Sequence, residues 1–367
     1  MLAAALGWLL AGCQALQPVR IGMAVELTGR RSEVGVAARN GAELAVEAVN
    51  AAGGVDGRPL LLLVQDDQGE PNSAQQADRS LAEAGVVAII GHITSAQTAA
   101  ALEQIDELGL VLISPASSSS EFSGKDDLFF RLTSANEQVP VPLARHLFNT
   151  RLLRRAVVVY DLSNRSFTET WWTYFAQEFE ALGGTCQALP YTSGETDLRE
   201  LVQELKGMAP QAVVWVASAV DTAIFLQYAA QEGLSVPFFA TSWAQTSELI
   251  EKGGQLVNGL ELSSTFVPNP GSRLYAEFAQ AYQERYGSQP GLGASHAYET
   301  VLVLHEALRQ TEGEAEGLPE ALLGIQDFPG LLGNISFDAF GDVQRDLYIV
   351  RVENGEFILI SVVSLTP

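Results

Sequence analysis

Two short stretches carry most of the side chains able to bind or react. Gly91-His92-Ile93-Thr94-Ser95 follows the apolar run "GVVAII", and "SPASSSS", Ser114 to Ser120, follows "GLVLI". Strands buried on both faces read as continuous apolar runs, and here two of them end in small hydroxyl residues. Thr94 and Ser95 fall at the start of a helix pattern, where a hydroxyl either caps the helix or bonds an incoming anion. Ser117 and Ser118 are set to do the same from the neighbouring strand. A carboxylate held by two such hydroxyls and one or two backbone N–H groups gains about 1.5–3 kcal/mol per charge-assisted bond. Micromolar affinity needs about 8 kcal/mol in all, so this cradle and one buried apolar side chain suffice. Serine at a helix start is also an ordinary cap.

Catalytic alternatives are thin. His92 and Ser95 lie three residues apart, but no G-x-S-x-G elbow surrounds the serine. "HAYE", His296 to Glu299, has the spacing of two ligands on one helix face, a common and weak metal pattern. His146 and His305 sit in helix patterns with no partner in sequence. We therefore expect no enzyme, no metal and no cofactor.

These residues must be positioned by alternating strands and helices. "RIGMAV", "RPLLLLVQDD", "GVVAIIG" and "GLVLISP" read as strands of the first part, separated by helix patterns. In "VAARNGAELAVEAVNAAGG" the apolar positions Ala38, Ala42, Ala45, Val46 and Val49 recur at helical spacing, and Gly53-Gly54 stops the helix. "RRAVVVYD", "TCQALPY", "QAVVWVAS", "VPFFAT" and "GLELSS" continue as strands, with helices near 167–182, 196–206, 220–232 and 246–252, then 272–286 and 293–311. "GNISFDAFGD", "DLYIVRV" and "EFILISVV" read as closing antiparallel strands around an Asn354-Gly355 turn. Such alternation predicts a parallel, doubly wound α/β sheet. The strands are too many for one sheet and 367 residues exceed one average domain, so two lobes are expected.

Composition narrows the classes further. Apolar residues make up 47% and charged residues 18%, as in a folded globular chain. A formal charge of −23 argues against nucleic-acid binding. The opening "MLAAALGWLLAGCQ" reads as the tail of a secretory signal with a lipobox, so Cys13 is expected to carry lipid and hold the chain at a membrane, the alternative being an ordinary cleaved signal with Cys13 incidental. Cys186 is then a free thiol on a strand, and the fold cannot depend on an intramolecular disulfide.

The runs "NGAELAVEAVNAAGGVDGRPL", "VQDDQGEP", "AIIGHITS", "LISPASSS" and "FFRLTSANEQ" resemble those of type I periplasmic binding proteins, in particular the leucine/isoleucine/valine branch. The resemblance covers the chain after Val19. It implies two Rossmann-like lobes with parallel sheets flanked by helices, joined by three hinge crossovers: 18–134 plus 266–335, and 135–265 plus 336–367, after a 1–13 signal and lipobox. It implies a periplasmic or cell-surface monomer that binds a small amino acid and hands it to an ABC permease. A sensor of the same fold, or a binder of an amide or aromatic acid, is the alternative.

In that family the ligand's carboxylate and amine are gripped by residues matching Ser95, the Ala116 backbone and Ser118. The second lobe departs from the pattern. The family's aromatics are replaced by Val34, Arg165 and Ser218, and the acid that often pairs with the ammonium becomes Ser242. Asp221 is a candidate replacement for that acid, or the cap of its helix. Trp243 is a candidate cover for the ligand or a hydrophobic plug. Tyr298 either walls the cleft or packs beneath it. Arg165 either meets an acidic ligand group or is solvated.

Overall fold

The computed structural model describes residues 17–269 and 271–364. Cys13 and the opening apolar run lie outside the described residues. In the first layer Val19–Val25 (β1), Leu60–Asp66 (β2), Ala88–Gly91 (β3), Val111–Ser114 (β4) and Phe129–Arg131 (β5) form a parallel sheet. Its order is β2-β1-β3-β4-β5. The strands are short and almost wholly apolar because helices cover both faces. Ser32–Ala51 (α1), Pro71–Glu83 (α2) and Ser95–Leu108 (α3) make the crossovers. Strand order reverses between β1 and β3, so the first turns of α1 and α3 flank the crevice where ligands bind in open α/β sheets.

After the short helix Val141–Arg145 (α4) a second sheet begins with Arg155–Asp161 (β6), Thr185–Tyr191 (β7), Ala212–Val216 (β8), Phe238–Ala240 (β9) and Glu261–Ser264 (β10). Its helices are Arg165–Ala181 (α5), Leu198–Met208 (α6), Ala219–Gln231 (α7) and Ser247–Gly253 (α8). On α5, Trp171, Phe175 and Phe179 recur at helical spacing, are fully buried and stack with centroids 5.5 and 5.6 Å apart. Each such ring contributes roughly 1.5–3 kcal/mol by leaving water.

The chain then returns to the first layer as Arg273–Tyr286 (α9), Leu292–Gln310 (α10) and Leu318–Leu323 (α11). Helix α10 lies closely against α1: a Cβ added at Gly41 would meet the Ala294 carbonyl at 2.1 Å. Phe328–Pro329 (β11) and Asn334–Ile335 (β12) form a small ladder. Leu347–Glu353 (β13) and Glu356–Val363 (β14) finally add antiparallel to β10, giving the order β14-β13-β10-β9-β8-β6-β7. Three segments thus run between the layers. Arg345 in the last of them is buried and forks onto Glu299 of α10 at 2.6 and 2.9 Å, while its N–H donates to Ser134 Oγ in the first.

The parallel α/β expectation holds, and so do most helix spans. "GNISFDAFGD" departs from it. It forms only the two-residue β12 and an isolated Phe337–Val343 bridge, because it spends its length crossing between layers.

Candidate functional site

A cavity of about 890 Å³ opens between the two layers, beyond the ends of β3, β4 and β9. Its inner wall is the predicted cradle. Ser95 is the first residue of α3, and Thr94 before it holds the extended backbone of a cap, φ −101° and ψ 147°. Neither hydroxyl caps the helix, and Thr94 Oγ1 is buried with no hydrogen-bond partner. Ser95 Oγ accepts from the Ser119 N–H at 3.3 Å. Ala116 and Ser118 line the same wall.

The loop holding them is fixed from below. Ser114 Oγ donates to the His92 carbonyl at 2.7 Å and accepts the Ser117 N–H at 2.9 Å. His296 Nδ1 lies 2.9 Å from the Pro115 carbonyl oxygen. Burial, reinforced by the Arg345 charge, pushes the His296 imidazole down to about 4, so it is neutral. With Glu299 engaged by Arg345, "HAYE" is scaffold, and no group of three metal-ligating side chains occurs among the described residues.

His92 answers for the polar break after β3. It is fully buried, with Nδ1 2.6 Å from Asp67 and Nε2 3.3 Å from Asp78. Burial alone would lower its pKa, but the Asp78 charge and the bonds to both carboxylates overcome that and raise it to about 10. The imidazolium is a buried cation held by Asp67 and Asp78, and His92 is not part of the cavity lining.

The opposite wall comes from the second layer. Ser242 and Trp243 occupy a short turn after β9, and Trp243 meets Phe167 edge to face, centroids 5.8 Å apart. Asn164, also in the wall, accepts the Ala96 N–H through Oδ1 at 3.1 Å and so caps α3 from across the cleft. Among the described residues the lining holds Glu33, Glu251 and Glu356 but no Lys, Arg or His. The lining therefore offers an anion N–H and O–H dipoles but no cationic side chain.

A family model described as periplasmic binding protein matches residues 18–356, almost the whole chain. This chain belongs to the periplasmic binding protein family. That family consists of solute-binding proteins rather than enzymes, and its compartment is the periplasm. This periplasmic binding protein is 24% identical over 345 residues to a Leu/Ile/Val-binding protein homolog of Brucella abortus, covering 92% of this chain and 91% of that one. It superposes on a leucine-binding protein from Thermotoga maritima with a TM-score of 0.88 at 24% identity, covering 95% and 99% of the two chains. A solute-binding protein of an ABC transporter from R. palustris, in complex with benzoate, gives 0.85 at 17% identity, covering 95% and 96%.

Of the residues singled out from sequence, Thr94, Ser95, Ala116, Ser118, Ser242 and Trp243 line the cavity of this periplasmic binding protein. Five others do not. Ser117 is buried behind the wall, its Oγ on the His92 carbonyl at 3.1 Å and Thr98 Oγ1 at 2.6 Å. Arg165 is solvated, its side chain 70% exposed and paired with Glu169 one turn on. Ser218 is the cap of α7, accepting the Asp221 N–H. Asp221 is already engaged: Arg30 donates to it at 2.8 Å and Tyr191 Oη at 2.9 Å. Tyr298 packs in the core on Phe278, centroids 4.5 Å apart. Sequence reasoning missed Glu33, Asn164, Phe167 and Gln245. Asn164 and Phe167 flank the start of α5 just as Ser95 opens α3, and that parallel was the available signal.

Among the described residues, no helix is long and apolar enough to cross a membrane. Cys186 is a free thiol, half-buried on β7, and burial pushes it up to about 12, which leaves it unreactive.

Proposed function

We propose that this chain captures a small amino acid, aliphatic or related, in the interlobe cavity and delivers it to an ABC permease. It does so as a monomer held at the membrane through lipid on Cys13. Residues 18–134 plus 266–335 and residues 135–265 plus 336–367 act as the two closing lobes. The observation that carries the ligand class is the pair of hydroxyls at the start of α3 beside Ala116 and Ser118: Thr94 Oγ1 has no partner, and Ser95 Oγ accepts the Ser119 N–H but has its own proton left to donate. Such a tip binds a carboxylate through oriented N–H and O–H donors. Phe167 and Trp243 offer an apolar cover for the rest of the ligand.

The test is a thermal-shift series with the common amino acids. A ligand at 100 times its dissociation constant stabilises the fold by roughly 2.7 kcal/mol. At least one amino acid should raise the melting temperature, and Ser95→Ala should shrink that shift sharply. An unchanged shift in the variant removes Ser95 from the site. A second reading, capture of a bulkier aromatic acid, is favoured by the cavity's size, at the upper end of ordinary ligand pockets. Benzoate and phenylacetate in the same series decide between them.

A further inference from the structure

Glu33 stands out among the cavity residues. It lies in the first turn of α1, on the other side of the β1/β3 reversal from Ser95. Its Oε1 accepts Ser247 Oγ at 2.8 Å and the Glu248 N–H at 3.0 Å, so it caps α8 from across the cleft. Its Oε2 is buried and has no hydrogen-bond partner. No cation pairs with Glu33 among the described residues, and none lines the cavity. Thr94 Oγ1 and Thr246 Oγ1, in the same lining, are also buried without partners.

A buried carboxylate oxygen without a donor is costly, and the cost is removed by a cation brought into the cavity. Glu248 lies close by: burial first, then the Glu33 charge and a side-chain hydrogen bond with Glu33, raise its carboxyl above the ordinary value against the lowering bond from Lys252, so two acids crowd one corner of the cleft. Donor hydroxyls and a helix tip stand at Ser95 and Ser118, while an acid with one oxygen bonded and the other without a donor stands at α1. A purely anionic ligand satisfies the first group and is repelled by the second.

Building on the proposed function, we infer that Glu33 receives the ammonium of the ligand, a role that Ser242 and the already engaged Asp221 do not fill. Both ends of the zwitterion are then held by the first lobe, and the ligand class is an aminocarboxylate rather than a plain acid.

The test measures binding by calorimetry of L-leucine and L-phenylalanine beside their deaminated counterparts, isocaproate and hydrocinnamate. The proteins are the wild-type chain, Glu33→Gln and Ser247→Ala. Glu33→Gln keeps an oxygen for Ser247 and the Glu248 N–H and loses the charge, while Ser247→Ala removes one of the two bonds to α8 and keeps the charge. The assignment predicts that Glu33→Gln weakens the better-binding amino acid by roughly 10- to 100-fold, leaves its deaminated counterpart within about 3-fold, and so closes the gap between them. Ser247→Ala should weaken both alike. Equal losses for both ligand types in Glu33→Gln, or no loss, overturn the assignment while leaving amino-acid capture standing. Tight wild-type binding of the plain acids with none of the amino acids overturns the proposed function itself, and Glu33's role with it.

Discussion

His92 shows how one residue outside the cavity governs those inside it. Its backbone carbonyl takes hydroxyls from Ser114 and Ser117, and its ring sits fully buried between Asp67 and Asp78, offsetting their charge. Removing the cation leaves two buried carboxylates uncompensated, so His92→Asn should cost about 3–5 kcal/mol in urea unfolding at neutral pH. The linkage has a definite sign. The unfolded imidazole loses its proton near pH 6.5 and the folded one near 10, so the folded state binds more protons between those values. The stabilisation is complete below pH 6.5 and declines as pH rises toward 10. Unfolding curves at pH 6, 8 and 9.5 should therefore show wild-type stability falling more steeply than that of the variant. Equal slopes would mean that the ring is neutral in the fold.

At the scale of elements, the contact of α1 with α10 decides how well the first lobe's crevice is defined, since α1 carries Glu33 and α10 braces the Pro115 loop through His296. Gly41 permits that contact. Alanine is intrinsically better in a helix by about 1 kcal/mol, but its Cβ would press on a main-chain oxygen that cannot rotate away. Overpacking of this kind costs about 1–3 kcal/mol, so Gly41→Ala should lower the melting temperature despite its better propensity. A rise would show that the helices can separate without loss. The elements themselves were largely legible in sequence, because buried parallel strands are unmixed apolar runs and α1 and α10 are long and periodic. The short pieces were not. β5 is three residues long and ends in Arg131, whose charge is buried against Asp342, far along the chain, at 2.7 Å and whose other N–H groups donate to the Ser119 carbonyl and Ser123 Oγ. Helix α11 has six residues, too few for periodicity to register. The site divides in the same way. Its first-lobe wall follows directly on β3 and β4 and was visible as hydroxyls after strands. Asp221 looked available because nothing local reveals that Arg30 and Tyr191 already hold it.

For the whole molecule, the notable bonds are those that run directly from one sheet's elements to the other's. Arg30 reaches Asp221, Arg31 Nη1 donates to Ser163 Oγ at 2.6 Å, and Glu33 holds the start of α8. If the two lobes close as proposed, each bond favours the closed arrangement and raises the fraction of molecules ready to hold ligand. Apparent affinity scales with that fraction. Arg30→Ala touches no cavity residue, yet it should weaken binding of the best amino acid several-fold and increase the radius of gyration of the unliganded protein. Small-angle scattering and calorimetry check the two together. A loss of affinity with unchanged dimensions would place Arg30's effect elsewhere.

The bond from Asn164 to the Ala96 amide has a kinetic corollary. If the lobes part as proposed, that amide has only water to satisfy it, and the tip of α3 offers newcomers one more bare N–H than it does when shut. The gaping molecule is thus the better bait for an acid, and snapping closed trades that surplus attraction for a lock.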